Sequence, residues 1–249
     1  MSRQPYAPTE AGTGAGGRYG RFVSTSAGSG YVVVPDSGSG PGVLLLHAWW
    51  GLTPFFHQMA ERLADAGFVT LAPDLHGDGR TADRPDEAEA LLASTDPNQT
   101  AALVVSSLSV LRRMPVTTGD RVGVVGFSMG ASWALWAATR HPDDVAAASV
   151  FYGTQDIDFG PARAAFQGHF AEQDEFESDD DVAYLQAQLH LAHQAVEFHR
   201  YPGTGHWFME ADRPAAYVPG AADLAWKRTV AFLHEHLDHQ PEPQPDPRL

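Results

Sequence analysis

Cysteine is absent from this chain of 249 residues, so it can form no disulfide, no cysteine-ligated metal site and no thiolate nucleophile. Positive charge is scarce as well: 16 lysine and arginine residues stand against 31 aspartate and glutamate residues, for a net charge of -15, and Lys227 is the only lysine. A surface of this sign repels the phosphates of nucleic acids and of anionic lipids. We therefore expect neither nucleic acid nor a membrane as a partner.

Long apolar runs are also missing. The longest, "GVLLLHAWWGL" at residues 42–52, is far shorter than the roughly 20 residues that cross a bilayer. The first residues, "MSRQPYAPTEAGTGAGG", contain no apolar core of the kind found in a secretory signal. These features predict a cytoplasmic protein.

Composition divides the chain into three parts. Residues 1–18 are rich in glycine, proline and small polar residues, and residues 240–249 have proline at every second position. Stretches of this composition bury too little apolar surface to order themselves. We expect both ends to be disordered and a single domain to span residues 19–239.

Within that domain, signals for strands and helices alternate. "RFVSTS" and "YVVVP" predict a hairpin with its turn at "AGSG", whereas "GVLLLHA" and "FVTLAPD" are continuous apolar runs, typical of strands buried on both faces. Thr53 is expected to cap a helix that begins at Pro54 and ends near Gly67. The alternation predicts an α/β protein with a doubly wound, mainly parallel sheet and helices on both faces. In such sheets, ligands bind beyond the carboxyl ends of the strands.

The segment "GFSMG", residues 126–130, lies between a predicted strand and a predicted helix. The pattern G-x-S-x-G is typical of a sharp, strained turn that exposes the serine hydroxyl, and larger residues at the glycine positions would collide with neighbouring backbone. We interpret Ser128 as a nucleophile, although a small residue that merely fills a tight turn is the alternative. The next backbone N–H, that of Met129, points at the same space from the helix N-terminus, where an oxyanion would form.

A serine hydroxyl needs a base, and the base needs an acid to fix its tautomer. His206, in "YPGTGHWF", follows the last predicted strand and is the candidate base. Asp174, just past the predicted strand "AAFQGHFA", is the candidate acid, and Asp156 and Asp158 are the alternatives. The order Ser, Asp, His is that of the α/β-hydrolases.

The loop "HAWWG" supplies candidates for a second oxyanion donor, because it follows the first apolar parallel strand. We expect the N–H of Trp49 to fill this role ahead of Trp50 and Gly51. The aromatic residues nearby could line an apolar substrate pocket or pack in the core, and we assign Trp50, Phe55 and Trp207 to the pocket.

The remaining histidines are not expected to bind a metal. Histidines in "HLAH" and "HEHLDH" lie on polar helical faces, and three or four convergent ligands would be needed. His47 and His169 precede the predicted functional loops, and we expect them to be buried and hydrogen-bonded to backbone. Contact with substrate is the alternative for His47.

Five segments together resemble the dienelactone hydrolase family of α/β-hydrolases. They are "HAWWGL", "ERLADAGFVTLAPDLHG", "VGVVGFSMGA", "GHFAEQDEF" and "YPGTGHWF", and they span about residues 30–238 in the family's order. The resemblance implies a single α/β-hydrolase domain that hydrolyses esters or lactones through an acyl-enzyme, with no metal and no cofactor. It assigns Ser128, Asp174 and His206 to the catalytic triad and Trp49 and Met129 to the oxyanion hole.

Three positions depart from the family's pattern. The usual nucleophile is cysteine, where this chain has Ser128, and a glutamate that keeps the thiol protonated until substrate arrives is replaced by Ala48. A hydroxyl is not ionised at rest and needs no such gate, so we expect an ordinary serine-esterase mechanism. An arginine that holds the carboxylate of dienelactone in the family is replaced by Glu210, with Arg213 nearby. We therefore do not expect dienelactone to be the natural substrate.

Two other functions remain open from the sequence. The same triad could transfer the acyl group to an alcohol, an amine or a peroxide instead of water, as an acyltransferase or perhydrolase does. The chain could also be a non-catalytic binding protein that kept the fold. A monomer or a small homo-oligomer is expected in either case.

Overall fold

The computed structural model describes residues 20–25 and 28–238. The predicted disorder of residues 1–18 and 240–249 therefore lies outside the described residues. The strands are β1 (Arg21–Thr25), β2 (Gly28–Val33), β3 (Gly40–Leu46), β4 (Val69–Pro73), β5 (Thr117–Phe127), β6 (Val145–Phe151), β7 (Ala165–Gln173) and β8 (Val196–Gly205). The helices are α1 (Pro54–Asp65), α2 (Pro85–Ala93), α3 (Pro97–Arg113), α4 (Met129–Arg140), α5 (Asp179–Leu191) and α6 (Pro219–Leu237).

All eight strands of this described region belong to one sheet, in the order β1-β2-β4-β3-β5-β6-β7-β8. The strands from β3 to β8 pair in parallel, and β2 is antiparallel to both of its neighbours. The chain moves outward from β3 in both directions, so the sheet is doubly wound. The predicted fold class is confirmed.

The amino-terminal hairpin is longer than the sequence indicates. Pairing runs from Arg21 opposite Val32 to Thr25 opposite Gly28, so the predicted turn "AGSG" is wrong and most of it belongs to β2. The reason is a close approach of backbones: a Cβ at Gly30 would lie 2.8 Å from the carbonyl oxygen of Ala72 in β4. Here glycine permits strand packing rather than a turn.

Two apolar layers cover the sheet because successive strand residues point to opposite faces. In β3, Val43 and Leu45 pack in one core cluster and Leu44 and Leu46 in the other. Helices α1 and α6 contribute to the first cluster, and α3, α4 and α5 to the second. All four β3 side chains are 0% exposed, which explains why the strand reads as a continuous apolar run.

The start of α1 is at the predicted position, with Pro54 as its first residue. Thr53 occupies the N-cap position, but its side chain does not cap the helix. The Thr53 hydroxyl instead donates to Asp212 Oδ2 at 3.0 Å. The predicted role of Thr53 as a capping side chain is therefore wrong, because a residue 159 positions away competes for its hydroxyl.

No helix within residues 20–25 and 28–238 combines the length and apolar character needed to cross a lipid bilayer.

Candidate active site

Ser128 is the single residue between the end of β5 and the start of α4. Its backbone has φ 50° and ψ -116°, and positive φ costs a non-glycine residue on the order of 1–3 kcal/mol. The Ser128 N–H donates to the carbonyl of Phe151 at 2.9 Å, which holds the turn against β6. The strained serine conformation that the G-x-S-x-G pattern indicates is present.

The glycines on either side of Ser128 are required by crowding. A Cβ at Gly126 would lie 2.2 Å from the carbonyl oxygen of Gly130. A Cβ at Gly130 would lie 2.3 Å from the carbonyl oxygen of Leu46 and 2.6 Å from that of His47. The N-terminus of α4 is therefore pressed against the end of β3, which brings the loop after β3 next to Ser128.

This crowding predicts that Gly130→Ala will destabilise the protein. The added methyl group meets rigid backbone rather than a flexible side chain, so we expect a loss of about 1–3 kcal/mol in the free energy of unfolding. Gly220→Ala is the matched control, since nothing lies within 4 Å of its added Cβ in α6. Thermal melts of both variants test the prediction, and equal melting temperatures would contradict it.

The structure brings Ser128, His206 and Asp174 into one hydrogen-bonded chain. Ser128 Oγ lies 2.9 Å from His206 Nε2, and His206 Nδ1 lies 2.8 Å from both carboxylate oxygens of Asp174. A carboxylate can only accept, so Nδ1 carries the proton and Nε2 is free to accept the serine proton. The residues follow β5, β8 and β7 respectively, all at the carboxyl edge of the sheet.

Asp174 is held by its own loop as well as by His206. The backbone N–H groups of Phe176 and Glu177 donate to Asp174 Oδ1 at 2.9 and 3.1 Å. Burial by itself raises the pKa of the Asp174 carboxyl, but the hydrogen bond and charge of His206 and these two N–H groups outweigh it and hold the pKa below its usual range. Asp174 is therefore an anion, which accepts the hydrogen bond from His206 Nδ1.

The alternative acids lie elsewhere. Asp156 and Asp158 are both exposed, and the Asp158 carboxylate accepts a hydrogen bond from the N–H of Gly160 at 2.9 Å.

The predicted oxyanion donors are the backbone N–H groups of Met129 and Trp49. Met129 is the first residue of α4, and the first N–H groups of a helix have no partner within the helix. Trp49 lies in the loop after β3, and within the described residues no hydrogen bond from its N–H is found. The Gly51 N–H already donates to the carbonyl of Ala48 at 3.2 Å, so it is not free for a substrate.

An aromatic cluster surrounds the His206 ring. The rings of Trp49 and Trp207 stack at 6.1 Å between centroids. Phe176 lies 4.8 Å from the His206 ring, 5.2 Å from Trp207 and 5.8 Å from Trp49. Phe176 is 50% exposed. Phe176 is not among the residues predicted for the site, although a lone aromatic residue within the acidic stretch "EQDEFESDDD" was a usable signal.

Two of the predicted pocket residues belong to the core. Trp50 is 2% and Phe55 6% exposed. Phe55 packs edge-on against Phe56 and Phe127 under the serine turn, with centroids 5.0 and 6.1 Å apart. Their predicted assignment to the pocket is wrong, because little of either side chain is left to meet a ligand. Trp207 remains at the surface of the site.

Glu210 is buried behind Tyr152, which packs against the His206 ring, and the sequence alone gives no sign of this burial. The side chain is 0% exposed, and Glu210 Oε1 accepts a hydrogen bond from the Tyr152 hydroxyl at 2.8 Å. The Tyr152 ring lies 4.9 Å from that of His206. Burial raises the pKa of Glu210 to about 8. Burial also raises the pKa of Tyr152 well above its usual range, and the charge of Glu210 and its hydrogen bond with Tyr152 add to this rise.

Arg213, the residue near the place of the family's arginine, contacts other parts of the chain. Its guanidinium lies 3.9 Å above the Trp50 ring and donates to the carbonyls of Asp83 and Ala82 at 3.0 and 3.1 Å. Arg213 therefore fastens the segment after His206 to the loop after β4, and its charge is engaged there.

Over the residues that the structure describes, no group of three or more histidine, aspartate and glutamate side chains is arranged to hold a metal ion.

The strand order, the turn at Ser128 and the three side chains beyond the sheet define an α/β-hydrolase. A model of the dienelactone hydrolase family matches residues 29–237. The chain belongs to the dienelactone hydrolase family. This membership confirms the predicted family and the predicted class of enzyme, a hydrolase of carboxylic esters or lactones.

Individual relatives agree with this placement. Protein usf of Aquifex pyrophilus is 34% identical over 217 residues, which cover 84% of this chain and 93% of that protein. A carboxymethylenebutenolidase of Rhodococcus opacus is 29% identical over 228 residues, which cover 81% of this chain and 84% of that protein.

The fold is shared with solved structures. A dienelactone hydrolase-like promiscuous phosphotriesterase from metagenomic libraries superposes with a TM-score of 0.81 over 89% of this chain and 100% of that one, at 21% identity. At this identity the likeness supports the fold alone.

Proposed function

We propose that this protein hydrolyses carboxylic esters or lactones through an acyl-enzyme formed on Ser128. The observation that carries the proposal is the 2.9 Å contact between Ser128 Oγ and His206 Nε2. Membership of the dienelactone hydrolase family supports it independently. His206 acts as the base, and Asp174 fixes its tautomer and stabilises the imidazolium.

Acylation starts when His206 Nε2 takes the proton of Ser128 as Oγ attacks the substrate carbonyl. The carbonyl oxygen becomes an oxyanion between the N–H groups of Trp49 and Met129, where the N-terminus of α4 adds positive potential. The intermediate collapses, the C–O bond to the alcohol breaks, and His206 returns the proton to the leaving oxygen. In a lactone the leaving alcohol stays attached to the acyl group.

Deacylation repeats the same steps with water. His206 Nε2 takes a proton from water, the hydroxyl attacks the acyl carbon, and the Ser128 oxygen leaves with the proton from His206. Because His206 alternates between base and acid, its link to Asp174 serves both halves of the reaction.

A serine nucleophile is consistent with an alanine at position 48. Ala48 is 0% exposed and packs in the core cluster under the site. No carboxylate is needed there, because a hydroxyl is protonated at rest and becomes nucleophilic only as His206 removes its proton.

The surroundings of the site favour an uncharged substrate. Trp49, Trp207 and Phe176 present aromatic surface beside His206, and Arg213 is engaged with the loop after β4. Relatives bear the name carboxymethylenebutenolidase, but for this chain we propose esters or lactones without a carboxylate.

A fluorophosphonate probe tests the proposal directly. It should add covalently to one residue, Ser128, as read by intact mass and peptide mapping, and Ser128→Ala should remain unlabelled. Ser132→Ala is the matched control. Ser132 lies one turn along α4, and its hydroxyl donates a hydrogen bond to the carbonyl of Thr154. An unlabelled wild-type protein would favour the non-catalytic binding protein instead.

Three statements stay predictions: the cytoplasmic location, the lack of nucleic-acid partners, and the monomeric or small homo-oligomeric state.

A further inference from the structure

His47 follows β3 directly and is 0% exposed. Both of its ring nitrogens have partners: Nε2 lies 2.9 Å from the backbone nitrogen of Leu75, and Nδ1 lies 2.6 Å from the carbonyl oxygen of Ala48. A backbone N–H can only donate and a carbonyl can only accept. Nε2 is therefore the acceptor, and Nδ1 carries the proton.

The imidazole of His47 is uncharged near neutral pH. Burial, with a smaller contribution from nearby His76, lowers the pKa of His47 to about 4, against the opposing effects of the Ala48 carbonyl and the Asp74 carboxylate. His47 is thus held in one neutral tautomer by contacts on both sides, with its proton directed at the Ala48 carbonyl.

That carbonyl belongs to the same peptide group as the N–H of Trp49. A peptide group is planar and trans, so its carbonyl and its N–H point in opposite directions. By holding the Ala48 oxygen, His47 fixes the direction of the Trp49 N–H. A hydrogen bond to a carbonyl also polarises its peptide group, which makes the N–H on the other side a stronger donor.

The next peptide group is held in the same way. The carbonyl of Trp49 accepts from His76 Nε2 at 3.0 Å, and His76 Nδ1 lies 2.8 Å from the hydroxyl of Thr95. The Gly51 N–H adds a second donor to the Ala48 carbonyl. The loop after β3 is therefore fixed on both sides of the candidate oxyanion donor.

We propose that His47 is a positioning residue for hydrolysis, which orients and polarises the Ala48–Trp49 peptide group so that the Trp49 N–H binds the oxyanion. This inference rests on the proposed function, because it assumes that an oxyanion forms next to Ser128. His47 itself does not contact the reacting atoms.

Two conservative variants separate this role from a purely structural one. In His47→Gln the amide oxygen can accept from the Leu75 N–H at the place of Nε2, but the donor to Ala48 is lost. In His47→Asn the amide nitrogen can donate to Ala48 at the place of Nδ1, but the buried Leu75 N–H loses its acceptor. Each variant thus keeps one of the two contacts.

The positioning role predicts that the two variants rank oppositely in activity and stability. We expect His47→Gln to lower kcat for p-nitrophenyl acetate about 10- to 100-fold with KM within about twofold, since the loss affects the transition state. His47→Asn should melt at a lower temperature but keep kcat within a few fold of wild type. If kcat instead falls more in His47→Asn than in His47→Gln, activity merely follows stability and the proposal is overturned.

An inhibitor that forms a tetrahedral adduct with Ser128 allows a second measurement. Part of this measurement needs only the wild-type protein. The inhibition constant of phenylboronic acid should rise in His47→Gln by about the factor by which kcat/KM falls. In ¹⁵N-labelled wild-type protein, the boronate adduct should move the Trp49 amide proton to lower field. An unmoved Trp49 amide would overturn the proposal even if no His47 variant folds.

Labelling of Ser128 by the fluorophosphonate distinguishes failure of the His47 proposal from failure of the proposed function. Labelling that persists, at a slower rate, in His47→Gln supports the positioning role. Labelling at the wild-type rate in that variant counts against His47 alone, whereas wild-type protein that is not labelled at all counts against the proposed function.

Discussion

Replacing Ser128 with alanine is expected to lower kcat for p-nitrophenyl acetate by about 10⁴- to 10⁶-fold. The substitution removes the atom that forms the acyl-enzyme, while the oxyanion donors and the binding surface remain and supply the residual rate. Alanine has a Cβ like serine, so the strained conformation at φ 50° is retained at similar cost. The melting temperature should therefore change little, and steady-state kinetics measure the loss.

The control for this variant is again Ser132→Ala, which should keep wild-type kinetics. A Ser128→Ala protein that is folded and still turns over at more than a few per cent of the wild-type rate would rule out an acyl-enzyme at this position. Hydrolysis would then have to proceed by direct attack of water.

The second large effect concerns Glu210 and the dependence of stability on pH. Burial raises the pKa of the folded Glu210 carboxyl from its ordinary value of 4.5 to about 8. Between these two values the folded protein keeps a proton that the unfolded chain has released, so the unfolded chain binds fewer protons and stability falls as the pH rises. The loss is on the order of 1 kcal/mol for each pH unit and levels off above about pH 8.

Glu210→Gln should remove this loss. A glutamine oxygen can still accept from the Tyr152 hydroxyl and carries no charge at any pH. The variant is expected to match the wild type near pH 4.5 and to become progressively more stable than it up to about pH 8. Each kcal/mol corresponds to roughly 2–4 °C in melting temperature for a chain of this size.

Thermal melts from pH 4.5 to pH 9 measure the difference between the two proteins. The charged groups that act on Glu210 are Asp212, which contributes to the rise in its pKa, and Arg213, which opposes that rise, as does the hydrogen bond from Tyr152. Glu235→Gln, which removes an exposed carboxylate from α6, is the control for the loss of one charge. A difference in melting temperature that does not change with pH would contradict a buried, protonated Glu210.

The parts of the site that follow strands could be predicted because local rules constrain them. The glycines of "GFSMG" are dictated by backbone contacts within a few ångströms, and Asp174 and His206 come directly after apolar strands whose carboxyl ends share one edge. Such placements depend on the chain near each residue and on the parallel order of the sheet.

The rest depends on contacts between distant segments, which the sequence does not show. A glutamate is ordinarily exposed, and only the fold reveals that Glu210 lies in the core against Tyr152. Trp50, Phe55 and Trp207 are all aromatic, so residue type does not distinguish them. Contacts with neighbouring side chains bury the first two and leave Trp207 partly exposed. The early start of β2 depends on how closely Gly30 approaches β4.

The segment that carries His206 is tied to remote parts of the chain. Asp212 accepts from Thr53 across 159 positions, and Arg213 donates to Asp83 and Ala82 across 130 and 131 positions. Bringing such distant segments together costs loop-closure entropy, which the assembled core offsets. The position of the imidazole therefore depends on the loops after β3 and β4 as well as on β8, and we expect damage to either loop to weaken the base.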